Sequence, residues 1–214
     1  MQTVTLIDYG SGNLRSAQKA LIAAAMGLGP SYEVSVSDDP EVIARADRLV
    51  LPGVGAFAAC MRALEERSGV IEAMIEAVKG RGVPFLGVCV GMQLLADRGL
   101  EFGQTTGLGW IGGEVRLLAP TDPHCKIPHM GWNALDTMRD HALLAGLEPG
   151  AHMYFTHSYA LFAKDPSSVI ATTDHGGPMV AAVAKDTVAG MQFHPEKSQA
   201  AGLRLLANFL EWRP

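Results

Sequence analysis

The 214-residue chain is short of cysteine, of basic charge and of long apolar runs, and each shortage excludes something. Its three cysteines, Cys60, Cys89 and Cys125, form no C-x-x-C pair and cannot all pair with one another. A reduced, cytoplasmic setting is therefore expected. Lys and Arg together number 17 against 22 Asp and Glu, for a formal net charge of −5, which argues against nucleic acid as the main ligand. No stretch approaches the roughly 18 uninterrupted apolar residues of a membrane span. The opening MQTVTLIDYG has neither the basic region nor the apolar core of a signal peptide, so no leader is expected. Internal repeats and low-complexity linkers are missing as well. What remains is ordinary globular composition, 48% hydrophobic and 18% charged. That suits a single α/β domain over 1–214 that can bury most of its apolar surface.

The most informative stretch is Val83–Ala96, VPFLGVCVGMQLLA. Val83, Phe85, Leu86 and Val88 form the apolar run of a buried parallel strand. Met92, Leu94, Leu95 and Ala96 are good helix formers. Between them, Gly87-Val88-Cys89-Val90-Gly91 is a G-x-nucleophile-x-G elbow with cysteine at its centre. A sharp strand-to-helix turn brings backbones together, and a Cβ at either flank would clash. At a helix start, unpaired N–H groups favour the reactive thiolate, and the Val90 N–H would face an oxyanion formed on a substrate held at Cys89. A lone buried cysteine after a strand is more often a small hydrophobe. The pentapeptide leaves both readings open until a base is found.

Upstream, Thr3–Asp8 reads as a strand, with Asn13 capping a helix to about Met26. The intervening Gly10-Ser11-Gly12 lacks the third glycine or lysine of a phosphate loop, so a tight turn is the better reading. Tyr32–Val36 is a second strand, and Asp39-Pro40-Glu41 opens a short helix. Arg48–Leu51 is a third strand, ending at Gly53-Val54-Gly55, whose glycines permit a peptide flip at low cost. A loop there, beside the elbow, could supply a second oxyanion donor or be a plain turn. Val70–Lys79 is an amphipathic helix. The order implies an open, mostly parallel sheet with helices on both faces. In the second half, Ile111–Leu118, Ile127–Leu135, Met153–Phe162, Val169–Thr173, Met179–Ala184 and Val188–Phe193 read as antiparallel strands added to that core. A final helix runs from Ser198, its expected cap, to about Trp212, with Leu203, Leu206 and Leu210 inward.

Seven histidines are candidate bases. His124, His129, His141, His152 and His175 read as loop or strand-edge residues, and His157 as a packed strand histidine. His124, Cys125 and His129 fit no standard zinc spacing, and no metal is expected. His194 differs, because it follows a strand and precedes Pro195 and Glu196. If the chain stays extended, His194 and Glu196 project to one side, where the carboxylate would fix the tautomer and stabilise the imidazolium. With the elbow, this makes a Cys89–His194–Glu196 triad.

The elbow PFLGVCVGMQLL and the base motif MQFHPEKS resemble those of class I, triad-type glutamine amidotransferases. With IDYGSGNLRS, LPGVGAF, KIPHMGWN and YFTHSYAL added, the likeness runs the whole length. It narrows to the family of glutaminase subunits of imidazole glycerol phosphate synthases. That resemblance implies L-glutamine as substrate, no cofactor, and an oxyanion hole from Val90 and the Gly53-Val54-Gly55 strand. Gln93 would grip the amino-acid end, with His157, Ser158 and Tyr159 along the same pocket. It also implies a separate (β/α)₈-barrel cyclase partner that receives the ammonia, docked on Met130, Trp132, Asn133, Tyr154 and Lys197. Rival readings are a glutaminase serving anthranilate, guanylate or pyridoxal phosphate synthesis, a stand-alone cysteine hydrolase, and a binding subunit that keeps the fold.

Overall fold

The computed structural model describes residues 1–29 and 31–214. Strands β1 (Gln2–Ile7), β2 (Tyr32–Ser37), β3 (Arg48–Gly53) and β4 (Phe85–Cys89) alternate with helices α1 (Leu14–Ala25), α2 (Pro40–Arg45), α3 (Phe57–Glu65) and α4 (Val70–Ile75). After β4 comes the one-turn helix α5 (Val90–Gln93). The strands that follow are β5 (Arg98–Gly99), β6 (Thr105–Thr106), β7 (Gly113–Leu117), β8 (His129–Ala134), β9 (Thr137–Met138), β10 (His152–His157), β11 (Tyr159–Ala163), β12 (Val169–Asp174), β13 (Pro178–Lys185) and β14 (Val188–Met191). Helix α6 (Gln199–Glu211) closes the chain.

Eight strands form the main sheet in the order β2-β1-β3-β4-β14-β13-β12-β9. From β2 to β14 every pairing is parallel, and beyond β14 every pairing is antiparallel. The mostly parallel α/β class expected from the sequence is the one observed. Strands β3, β4 and β14 are buried along their whole length, as continuous apolar runs in a doubly covered sheet should be. The chain reverses direction after β2, so right-handed crossovers put α1 on one face and α2 to α4 on the other. Accordingly α1 packs on α6, and α2 on α4. The reversal between β1 and β3 leaves a crevice at the carboxyl ends of the strands, where ligands of such sheets bind. Among the described residues no helix is long and apolar enough to cross a membrane.

Several expectations need correction. The crossover expected as the single helix 70–79 contains α3 as well. Phe57, Cys60, Met61 and Leu64 give α3 a buried stripe, but Ala56 offers no side-chain cap. The Phe57 N–H is capped instead by Glu101 Oε2 at 2.8 Å, a partner no local pattern reveals. The helix after Cys89 stops at Gln93 rather than continuing through Ala96. There the carbonyls of Leu94, Leu95 and Ala96 accept bonds from Leu108, Trp110, Ile111 and Gly109, so tertiary pairing overrides helix propensity. The expected strand 153–162 is two strands in different sheets, broken at Ser158. In α6, Leu203 lies outside while Leu205, Leu206, Phe209 and Leu210 are buried.

Candidate active site

Cys89 ends β4 at φ +54° and ψ −113°. For a residue with a side chain this conformation costs on the order of 1–3 kcal/mol, and the surroundings hold it there. A Cβ on Gly91 would run into the Leu51 carbonyl, and one on Gly87 into the carbonyl of Gly91. The flanking glycines therefore serve the close approach that the elbow requires. Cys89 is in register with Gly53 of β3, and Val88 with Met191 of β14. The loop after β3 and the segment after β14 thus flank the thiol.

A cavity of about 300 Å³ opens there, lined among others by Val54, Gly55, Cys89, Val90, Gln93 and His194. His194 Nδ1 lies 2.8 Å from Glu196 Oε1, with side chains only 3% and 5% exposed. The two meet through one 3₁₀ turn over Pro195–Lys197, not along the extended chain that the sequence suggested. Ser198 stands at the start of α6 but does not cap it with its side chain. Its Oγ donates to His194 O at 2.6 Å and accepts from the Tyr154 N–H at 3.0 Å. This ties the His194 backbone to β10, helped by the His194 N–H on Tyr154 O at 2.9 Å. With Nδ1 engaged, Nε2 is the nitrogen left over, and it has no partner among the described residues. Burial opposes charge on this imidazole, but the Cys89 sulfur and the Glu196 carboxylate outweigh it and raise its pKa to about 9. The ring is therefore a strong base toward the Cys89 thiol.

Gln93 is 3% exposed and gives its Nε2 to Tyr159 O at 2.8 Å and to Gln192 Oε1 at 3.1 Å. Ser158 and Tyr159 line the cavity as well. So does His157, but both its ring nitrogens are engaged within the protein: Nδ1 with Tyr159 O at 2.9 Å, and Nε2 with His129 Nδ1 at 3.2 Å. Because a carbonyl only accepts, the Nδ1 of His157 carries the proton and its Nε2 accepts from His129. His129, read as a loop or edge residue, is 4% exposed and stacks on His175 at 4.1 Å. Burial, first, and the neighbouring histidines lower His129 to about 3; burial also dominates for His157, lowered to about 4. Both stay neutral in the fold while the unfolded chain takes up protons below about 6.5. The unfolded state then binds more protons, so stability falls as pH drops from about 6.5 toward 4. The thermal midpoint of the chain should fall across that window, and fall less in His129→Gln. An equal fall in both would remove the histidine pair as a cause.

On the other flank, the Val54 N–H points to Ser11 Oγ at 3.2 Å, and Ser11 Oγ donates to Val54 O at 2.7 Å. The Val54 amide hydrogen is thus turned toward Ser11. Gly55, at φ +109°, adopts the left-handed backbone that this turn requires. Val90 begins α5, so its N–H has no partner inside the helix.

A model of the glutamine amidotransferase class-I family matches residues 5–212. The chain belongs to the class-I glutamine amidotransferase family. Two curated relatives named imidazole glycerol phosphate synthase subunit HisH are similar along their whole length. The one from Caulobacter vibrioides is 64% identical over 100% of both chains, and the one from Rhodospirillum rubrum 58% identical over 99% of both. Among solved structures, one described as a glutamine amidotransferase superposes with a TM-score of 0.70 at 19% identity, covering 97% of each chain. A glutamine amidotransferase from Thermotoga maritima gives 0.62 at 14% identity, over 98% of this chain and 83% of that one. At such identity the solved structures speak for the amidotransferase fold alone.

The residues expected at a docking face divide. Met130 and Trp132 are 64% and 47% exposed. Trp132 pairs across the strands with Tyr154, their rings 6.0 Å apart, and Lys197 Nζ lies 5.4 Å from the Tyr154 ring centre. Asn133, one position on, points the other way and bonds to Asp174 O at 2.7 Å and His129 Nε2 at 3.1 Å. Side chains alternate along a strand, so the amidotransferase chain cannot present Trp132 and Asn133 on one face. Three residues at the site escaped the sequence reading: Glu101, Gln192 and Ser11. Glu101 lies in a loop without a motif. Gln192 stands two positions before His194, a spacing that did place it on the base's side.

Proposed function

We propose that this chain is a glutaminase subunit of imidazole glycerol phosphate synthase, acting as a single domain in the cytoplasm. Cys89 is the nucleophile, His194 the acid and base, and Glu196 the group that holds the imidazole. The observation that carries the reading is a buried His194 held by the Glu196 carboxylate in the same cavity as an elbow cysteine. The Cys89 proton passes to His194, and the sulfur forms a C–S bond to the side-chain amide carbon of L-glutamine. His194 then protonates the nitrogen, the C–N bond breaks, and ammonia leaves. Water attacks the glutamyl thioester, returns a proton through His194, and releases glutamate with the thiol restored. The Val90 N–H and one N–H of the Gly53-Val54-Gly55 strand stabilise the oxyanion. Gln93 Oε1 and the Glu101 carboxylate suit the substrate ammonium, and Ser158 and Tyr159 line its path, with His157 behind them.

The ammonia goes to a (β/α)₈-barrel cyclase, which converts PRFAR, a phosphoribulosyl-formimino compound, to imidazole glycerol phosphate and AICAR ribotide. The two curated relatives, each named a subunit of imidazole glycerol phosphate synthase, support a partner subunit in such a synthase. Met130, Trp132, Tyr154 and Lys197 form the docking patch, since a contiguous exposed aromatic patch marks a contact surface. The test is co-purification with the cyclase and measurement of glutamate release. Release that rises on adding PRFAR is expected; full release without any partner would favour a stand-alone hydrolase.

The Ser11 contacts carry a related prediction. A Val54 amide held on Ser11 is one oxyanion donor fewer in the partner-free chain. Ser11→Ala should raise partner-free glutamine turnover by up to about tenfold, the worth of one ordinary hydrogen bond. Unchanged turnover of a folded variant would remove the latch.

A further inference from the structure

One buried polar group within hydrogen-bonding distance of the sulfur is left unused by the mechanism above. Gln192 is fully buried, immediately after β14, with its backbone N–H bonded to Ala181 O at 2.9 Å. Its side chain lies between Gln93 and Cys89: Oε1 is 3.1 Å from Gln93 Nε2, and Nε2 is 3.9 Å from Cys89 Sγ. An amide can be turned end for end, but here the neighbours decide. The Tyr159 carbonyl can only accept, so the Gln93 nitrogen must face it. That same nitrogen gives its second hydrogen to Gln192, so Gln192 must offer oxygen on that side. Turning Gln192 over would set two NH₂ groups against each other. The Gln192 nitrogen is therefore committed to the sulfur, and a buried N–H group without a partner is costly.

We propose that Gln192 is a further catalytic residue: its side-chain N–H donates to the Cys89 sulfur, stabilising it while it carries negative charge. This deepens the glutaminase reading and rests on it. A thiol sulfur is a weak acceptor and a thiolate a strong one, so the contact strengthens when the proton has moved to His194. It weakens again when the C–S bond forms and the charge moves to the substrate oxygen. The thiolate is thereby held between an imidazolium on one side and a neutral donor on the other. Because Gln93 both lines the cavity and orients Gln192, the substrate end of the pocket and the sulfur share one hydrogen-bonded line.

The experiment compares the full chain with Gln192→Leu and Gln192→Glu. The second keeps the shape, still accepts from Gln93, and replaces the donor by a carboxylate. Alkylation of Cys89 by iodoacetamide is followed by peptide mass spectrometry, which separates it from Cys125, and glutamine turnover is measured in the complex. At pH 8 both variants should alkylate Cys89 roughly ten- to a hundredfold more slowly, the size of one hydrogen bond to a charged group. In turnover, kcat should fall by a similar factor and KM by less than about threefold. Gln192→Glu should recover toward the parent rate as pH falls and its carboxyl becomes a donor. A folded Gln192→Glu that alkylates within twofold of the parent chain at pH 8 would overturn the proposal. If the parent chain neither alkylates at Cys89 nor hydrolyses glutamine in its complex, the glutaminase reading fails and this proposal falls with it.

Discussion

Cys89→Ser is expected to abolish glutamine-dependent synthesis by the complex while leaving synthesis from added ammonium salts intact. Serine keeps the shape of the elbow, so the φ +54° turn and its glycine contacts survive. What is lost is a nucleophile that gives up its proton readily, since a hydroxyl is a far weaker acid than a thiol and a poorer nucleophile. Removing the nucleophile of a concerted set lowers turnover by about 10⁴-fold or more. The cyclase half of the reaction needs only ammonia, and an external supply bypasses the lesion. Parallel assays with glutamine and with ammonium chloride check this. An equal loss in both would mean that Cys89 serves something other than ammonia release.

Glu196→Gln should have the next largest effect. The carboxylate meets Nδ1 of His194 at 2.8 Å, almost fully buried. It is one of the groups that hold the imidazole proton against the cost of burial. The isosteric amide removes that charge and can present its NH₂ to Nδ1, inviting the wrong tautomer. A fall in kcat of about 10²–10⁴-fold is expected, with little change in KM. The pH profile gives a readout that lost packing would not move. In the parent enzyme, turnover that needs a protonated His194 declines as pH rises through about 9. In Glu196→Gln the decline should begin at lower pH. Stability follows the same sign. A His194 pKa raised above its unfolded value contributes stability below about 6.5 that is lost as pH rises toward 9. An unmoved alkaline limb would contradict the role given to the carboxylate.

Much of this was legible from residue order. The Gly87-x-Cys89-x-Gly91 spacing announces its turn because only glycine tolerates the backbone approach found there. The apolar runs of β3 and β4 announce buried parallel strands, whereas β14, read as one of the antiparallel additions, pairs parallel with β4 on one side and antiparallel with β13 on the other. What escaped depends on partners distant in sequence. α3 hides because its cap, Glu101, stands 44 residues away. α5 ends early because the 107–111 loop competes for its carbonyls. Ser198 reads as a helix cap, yet its hydroxyl binds His194 O and the Tyr154 N–H, a bond that exists only once β10 is in place. Asn133 was grouped with Trp132 by motif, although strand alternation alone separates them.

The central claim is that glutamine reacts at one sulfur. The chain, with its partner present, can be treated with 6-diazo-5-oxo-L-norleucine, a reactive glutamine analogue, and mapped by peptide mass spectrometry. Cys60 and Cys89 are buried and Cys125 is the more accessible, so simple exposure would direct a label to Cys125. One adduct per chain on Cys89, blocked by excess glutamine and matched by loss of glutamate release, is the predicted result. Loss of activity with the label on Cys125 or Cys60 and Cys89 unmodified would contradict it.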